Sequence, residues 1–189
     1  KNTTYFFKQL VTSVNIEYQS LFYFIFPIIG ILLTRAIIRF GIKKPVNHGI
    51  PGVLYALSKR KGILPAYQMF ASLFTAPITI RFGGSTGLEG PTISGGAGIA
   101  SNVSRLLHLN QATRSLLIGC AAAAAISAIF KAPIAAIIFA IEVFSLDLTL
   151  ASLLPLLFAS ISALLTTYFF FGSIQLLPFE LKDVFNLSH

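Results

Sequence analysis

Four long stretches of this chain, 18–34, 62–80, 115–130 and 148–179, contain no Asp, Glu, Lys or Arg. A hydrocarbon core of about 30 Å asks for roughly 20 predominantly apolar residues per crossing helix, and these runs meet or approach that length. Soluble domains carry about 25% charged residues, whereas here 11% are charged and 55% apolar, with a mean hydropathy of +0.80. An ordinary soluble domain is thereby excluded. The chain reads as an all-α, polytopic protein integral to a lipid bilayer.

The 14 Lys and Arg outnumber the 6 acids, for a formal net charge of +8. They stand beside apolar runs rather than along one hydrophilic stretch, so membrane topology explains them better than nucleic acid does. Arg35, Arg39, Lys43 and Lys44 close a first helix expected over 20–39, and Lys59-Arg60-Lys61 form a second basic cluster. The stretch between the clusters is too short and too rich in Gly and Pro to cross. The positive-inside rule therefore sets all of 35–61 on the cytoplasmic side, with a re-entrant segment between the clusters. Cys120, alone in an Ala-rich tract, reads as a packing residue. The chain opens on Lys1 without a secretory signal peptide and is expected to be a piece of something longer.

Regularity fails in the middle of the chain. Pro65 and Pro77 predict that the helix over 63–80 is bent or ended by proline. Seven of the 14 glycines fall in 83–98, where a plain spanning helix is not expected. The segments 99–107, 115–130 and 132–146 read as partial helices, too short for the core at 1.5 Å per residue. By contrast, 148–171 reads as a full span ending in Tyr168-Phe169-Phe170-Phe171, suited to a membrane interface. Residues 4–14 are too short to cross, and 173–189 read as a polar tail or linker, so 1–189 is expected to form a single transmembrane domain. Gly/Pro-interrupted apolar segments point to a substrate site near the bilayer midplane, because irregular backbone at that depth needs protein or a water-filled cavity around it. Small residues four apart, Gly96, Ala100 and Ser104, or Ala121 and Ala125, permit close helix packing.

Two segments carry chemistry. In Gly87-Leu88-Glu89-Gly90-Pro91, Gly and Pro mark a helix N-terminus, whose exposed N–H groups and positive dipole end attract anions. Glu89 is itself an anion at that end, so it can hold the place of a permeating anion and leave it on protonation. Asn47-His48-Gly49-Ile50-Pro51 is a second such start, reached from the basic side. Two starts facing one point would bind an anion without a full cationic charge, and His48 could add a ring or backbone donor. His48, His108 and His189 share no metal-ligand spacing. Gly96-Ala97-Gly98-Ile99-Ala100-Ser101 approximates a dinucleotide fingerprint, but the acidic residue required about 20 positions on is replaced by an alanine run. No nucleophile–base pair suggests an enzyme, and no cofactor is expected.

At these residues the sequence resembles the CLC family of chloride channels and proton-coupled chloride exchangers. Gly49-Ile50-Pro51 is similar to its G-x-G-I-P selectivity loop, Gly-Gly-Ser-Thr-Gly-Leu-Glu-Gly-Pro at 83–91 to its G-[KR]-E-G-P motif, and Phe130-Lys131-Ala132-Pro133 to Glu142 to its F-x-A-P…I-E stretch. Residues 40–146 carry the resemblance, the flanks only weakly. It implies gated transport of chloride or similar small anions, with Glu89 as the gating carboxylate and His48, Gly49, Ile50, Pro51, Gly87, Gly90 and Pro91 around the anion. Backbone N–H groups at 48–51 and 89–93 would be the ligands.

Three departures bear on that implication. His48 stands where well-known members have serine, as in some prokaryotic relatives, so a serine hydroxyl contact to the anion is missing. Leu88 replaces the usual basic residue before the glutamate, removing a positive charge from the external approach. Val143 follows Glu142 where exchangers often have a second glutamate, which implies weak or no proton coupling and leaves Glu142 a structural role. The family's fold comprises two inverted halves per subunit and a homodimer of subunits. This chain carries motifs of the first repeat only, and the C-terminal half of the subunit is an expected partner, in a prokaryotic inner (plasma) membrane. A proton-coupled antiporter and a non-conducting membrane assembly module remain the alternatives.

Overall fold

A computed structural model describes residues 16–42, 49–84 and 87–172. Expectations for 4–14, for Asn47 and His48 and for the tail 173–189 lie outside the described residues. The described chain is helical throughout: α1 (Ile16–Ala36) continued by a π-helical turn (Ile37–Ile42), α2 (Ile50–Lys59), α3 (Tyr67–Arg81), α4 (Glu89–Leu106), α5 (Gln111–Phe130), α6 (Pro133–Phe144) and α7 (Leu150–Phe171).

Helix ends follow local chemistry. Asn110 caps α5 by accepting the Thr113 N–H at 2.8 Å, and Thr149 caps α7 by accepting that of Ser152 at 3.3 Å, each satisfying a donor that the first turn leaves without an intrahelical partner. Lys131 (φ 55°) and Ser145 (φ 49°) end α5 and α6 in the left-handed region. Pro27, Pro77 and Pro155 lie inside α1, α3 and α7, so Pro77 does not end its helix.

The core forms where α4 and α5 cross. Ile93 and Ala97 of α4 meet Ile118, Ala122 and Ala123 of α5, all fully buried. Val53 and Ala56 of α2, Ala136 and Ala140 of α6 and Leu156 of α7 complete the cluster. Cys120 is buried within it as a free thiol, in keeping with its packing role.

Two sequence expectations need correction. The glycine-rich tract does not break helicity beyond residue 88: α4 starts at Glu89 and runs unbroken through Gly90, Gly95, Gly96 and Gly98, so 99–107 is the end of an 18-residue helix and not a separate piece. Glycine costs a helix interior roughly 0.5–1 kcal/mol, and close packing offsets it. A Cβ on Gly98 would stand 3.2 Å from the Met69 backbone nitrogen, one on Gly95 3.2 Å from Leu73 Cγ, and one on Gly96 3.3 Å from the Ala121 carbonyl oxygen. The second correction is α5, which has 20 residues and not the partial length read from 115–130. Its first turn includes Arg114, whose charge ended the uncharged run. The guanidinium is satisfied by the Ser104 hydroxyl at 3.1 Å and by the carbonyls of Lys61 at 3.1 Å and Leu109 at 3.0 Å. α6, at 12 residues, is short as expected.

α5 and α7 are each long and apolar enough to cross a membrane. α5 is packed on several sides, whereas α7 exposes Phe158, Leu165 and Phe169. The contacts also sort the loops to two ends. Arg114 ties the α2–α3 loop to the α4–α5 loop, which gathers Lys59-Arg60-Lys61, Arg105 and Arg114 at one end. α1 runs antiparallel to α3, since Gly30 meets Phe82 while Thr34 meets Thr79, so the C-terminal end of α1 and its π-helical extension, with Arg39, lead toward that basic end. At the opposite end the Lys131 ammonium donates to the Gly172 carbonyl at 3.3 Å and lies 4.8 Å from the Tyr168 ring centroid.

Candidate functional site

The site is built where two helices begin. α2 starts at Ile50 after Gly49, with Pro51 in its first turn, and α4 starts at Glu89 with Pro91 two residues later. Proline costs little there, because the N–H it removes has no intrahelical acceptor. Neither start has a side-chain cap, so the first-turn donors stay available, with the positive end of each macrodipole behind them.

The two starts meet through glycine. Gly49 has φ 82° and ψ −171°, a combination essentially restricted to glycine. A Cβ on Gly90 would stand 3.3 Å from the Gly49 Cα, and one on Gly49 3.9 Å from the Gly90 Cα. A side chain at Gly90 would press the helix N-termini apart, whereas at Gly49 it is the backbone conformation that excludes one.

Glu89 is half-buried, and its carboxylate folds back over Gly87, with Oε2 in the space a Gly87 Cβ would take. Gly49, Gly87, Glu89, Gly90 and Pro91 border one open cavity of about 1130 Å³. Thr75, Ala76 and Thr79 of α3 form another wall. The Thr79 hydroxyl donates to the Thr75 carbonyl at 3.0 Å and pairs with the Thr34 hydroxyl at 3.1 Å.

Of the residues expected at the site, the structure thus brings Gly49, Gly87, Glu89, Gly90 and Pro91 together. Ile50 and Pro51 stand next to the cavity as the first turn of α2 but do not line it. Glu142 and Val143 lie elsewhere: Glu142 is on the exposed face of α6 with Ile134 and Ile138, and Val143 packs against the core. The dinucleotide-like glycines sit inside α4 in helix contacts, and no strand precedes them among the described residues. The remaining wall was not anticipated as part of the site. Ile31, Thr34, Arg35, Ile38 and Arg39 line it from α1 and its π-helical extension, and their three- and four-residue spacing was the available signal.

A family model described as voltage gated chloride channel matches residues 14–189. Among curated proteins, a ClcB-like protein of Ralstonia nicotianae, named as a chloride channel protein, is 28% identical over 158 residues, covering 80% of this chain and 37% of that protein. A chloride/fluoride channel protein of Pseudomonas syringae pv. tomato is 25% identical over 123 residues, covering 65% of this chain and 27% of its own. The chain thus matches well under half the length of these relatives. No solved structure gives a significant match. Helical architecture, two uncapped helix starts joined at glycine and a family match over nearly the whole length agree, and the chain belongs to the voltage gated chloride channel (CLC) family of membrane proteins.

Proposed function

We propose that this chain forms the first inverted half of an anion pathway that carries chloride or similar small anions across the membrane. The observation that carries the reading is the meeting of two uncapped helix N-termini at Gly49 and Gly90 beside the Glu89 carboxylate. Backbone N–H groups of α2 and α4 bind the anion, as helix starts do. Glu89 competes for the same positive field and withdraws when protonated or displaced, which makes it the gate. An intramembrane carboxylate is costly enough to be retained chiefly for function. The names of the two relatives, chloride channel and chloride/fluoride channel, support small monovalent anions as the cargo. A second half of the subunit completes the site, the assembled protein is a homodimer in a prokaryotic plasma membrane, and catalysis is not part of its role.

Chloride efflux from proteoliposomes holding the full-length protein tests this across a pH series. Glu89→Gln is expected to abolish the pH dependence of flux. Unchanged flux and unchanged pH dependence would remove Glu89 from the gate.

A further inference from the structure

We infer that Arg35 and Arg39 form a capture site for small inorganic anions in the vestibule on the basic side of the Glu89 gate; the inference rests on the transport reading above. Both side chains line the same cavity as Gly49, Glu89 and Gly90, and both are exposed. Neither forms an ion pair with Glu89 among the described residues. Among the described residues Glu89 is the one acid lining this cavity, so two guanidiniums against one carboxylate leave the described wall with positive charge to spare.

The placement follows from α1. Residues 31, 34, 35, 38 and 39 present one helix face to the cavity, and the helix passes into a π-helical turn at Ile37–Ile42 just where Arg39 sits. Such turns are rare and concentrate at functional sites. The two arginines therefore stand four residues apart along the wall, Arg39 nearer the basic end than Arg35, which follows Thr34 and its contact with Thr79. Charges of one sign lining a cleft with low-dielectric walls focus the field and raise the local concentration of the opposite ion. Guanidinium stays charged at any working pH, so capture is independent of pH, in contrast to the gate.

The test uses the full-length protein reconstituted in one orientation, with chloride varied on the arginine-bearing side. Replacing both residues, Arg35→Gln with Arg39→Gln, is expected to raise the half-saturating chloride concentration on that side by roughly tenfold, leaving the opposite side unchanged. Lysine at both positions is expected to restore most of the affinity. Raising ionic strength with an impermeant salt to about 1 M, where the Debye length is about 3 Å, is expected to erase the difference. Half-saturation unchanged in the double variant overturns this inference alone, as does a loss that lysine does not rescue or a flux that follows only the anionic lipid content of the vesicles. No chloride flux in the unmodified protein overturns the transport reading and this inference with it.

Discussion

Gly49 and Gly90 hold the starts of α2 and α4 so close that a Cβ on Gly90 would meet the Gly49 Cα at 3.3 Å. The two positions should respond differently to alanine. At Gly49 the backbone itself is forbidding, with φ 82° and ψ −171°, and Gly49→Ala is expected to cost about 1–3 kcal/mol, read as a lower midpoint of thermal unfolding in detergent. Gly90 is an ordinary helical residue, so Gly90→Ala is expected to keep most of the stability and to weaken anion affinity by separating the N-termini. A Gly90→Ala protein with unaltered chloride affinity would show that the close approach is structural only.

Gly87 leaves the space in which the Glu89 carboxylate, the proposed gate, rests. A Cβ there would overlap Oε2 of Glu89, and the flexible end of a side chain can move away where backbone cannot. Gly87→Ala is expected to displace the carboxylate and shift the pH dependence of chloride flux in the same direction as Glu89→Gln, by less. Proteoliposome flux across a pH series checks this, and a wild-type profile would mean that the carboxylate rests elsewhere.

The glycines inside α4 should also separate. Around Gly98 the nearest atoms are the Met69 backbone nitrogen and Cα, at 3.2 and 3.3 Å, while Gly95 faces the tip of the Leu73 side chain at 3.2 Å. Backbone cannot give way as a leucine rotamer can, so Gly98→Ala is expected to destabilise by about 1–3 kcal/mol and Gly95→Ala by clearly less. Equal unfolding midpoints for the two variants would contradict the packing argument.

Ser101 joins α4 to the α2–α3 loop. Fully buried, it accepts the Leu64 N–H at 2.9 Å and donates to the Gly62 carbonyl at 2.7 Å. Ser101→Ala leaves both backbone groups without that partner, each worth about 1–3 kcal/mol when buried and unpaired. The expected readout is a lower unfolding midpoint together with faster proteolysis of the loop at 60–66, whereas Ser101→Thr keeps the hydroxyl and is expected to lose less.

Proton coupling is expected to be weak or missing, because Val143 packs against the core and brings no carboxylate to the place where exchangers often hold one. In liposomes containing the full-length protein, an imposed pH gradient should not drive chloride uphill. Uphill uptake would show that another group relays protons to Glu89.

Much of this was legible in the residue order because it depends on short-range rules. Uncharged runs required a lipid environment, Gly and Pro marked the starts of α2 and α4, and Glu89 was placed at one of them by motif alone. The length of α4 and α5 was not legible. Glycine and arginine lower helix and membrane propensity when read locally, and only the neighbouring helices reverse that preference: Gly95 and Gly98 are tolerated because α3 presses against them, and Arg114 because two loops offer it carbonyls.

The sequence by itself therefore determined the solvent, the helical class and the two helix starts, since hydropathy, charge and proline geometry act over a few residues. Tertiary structure decided that the starts meet at Gly49 and Gly90, that Glu89 folds onto Gly87, and that Arg35 and Arg39 share their cavity. Gly49 and Gly90 are about 40 residues apart in the chain, as are Arg35 and Arg39 from the α3 wall they face; these relations are set by how α1, α2, α3 and α4 pack, and packing of that kind leaves no local mark in the order of residues.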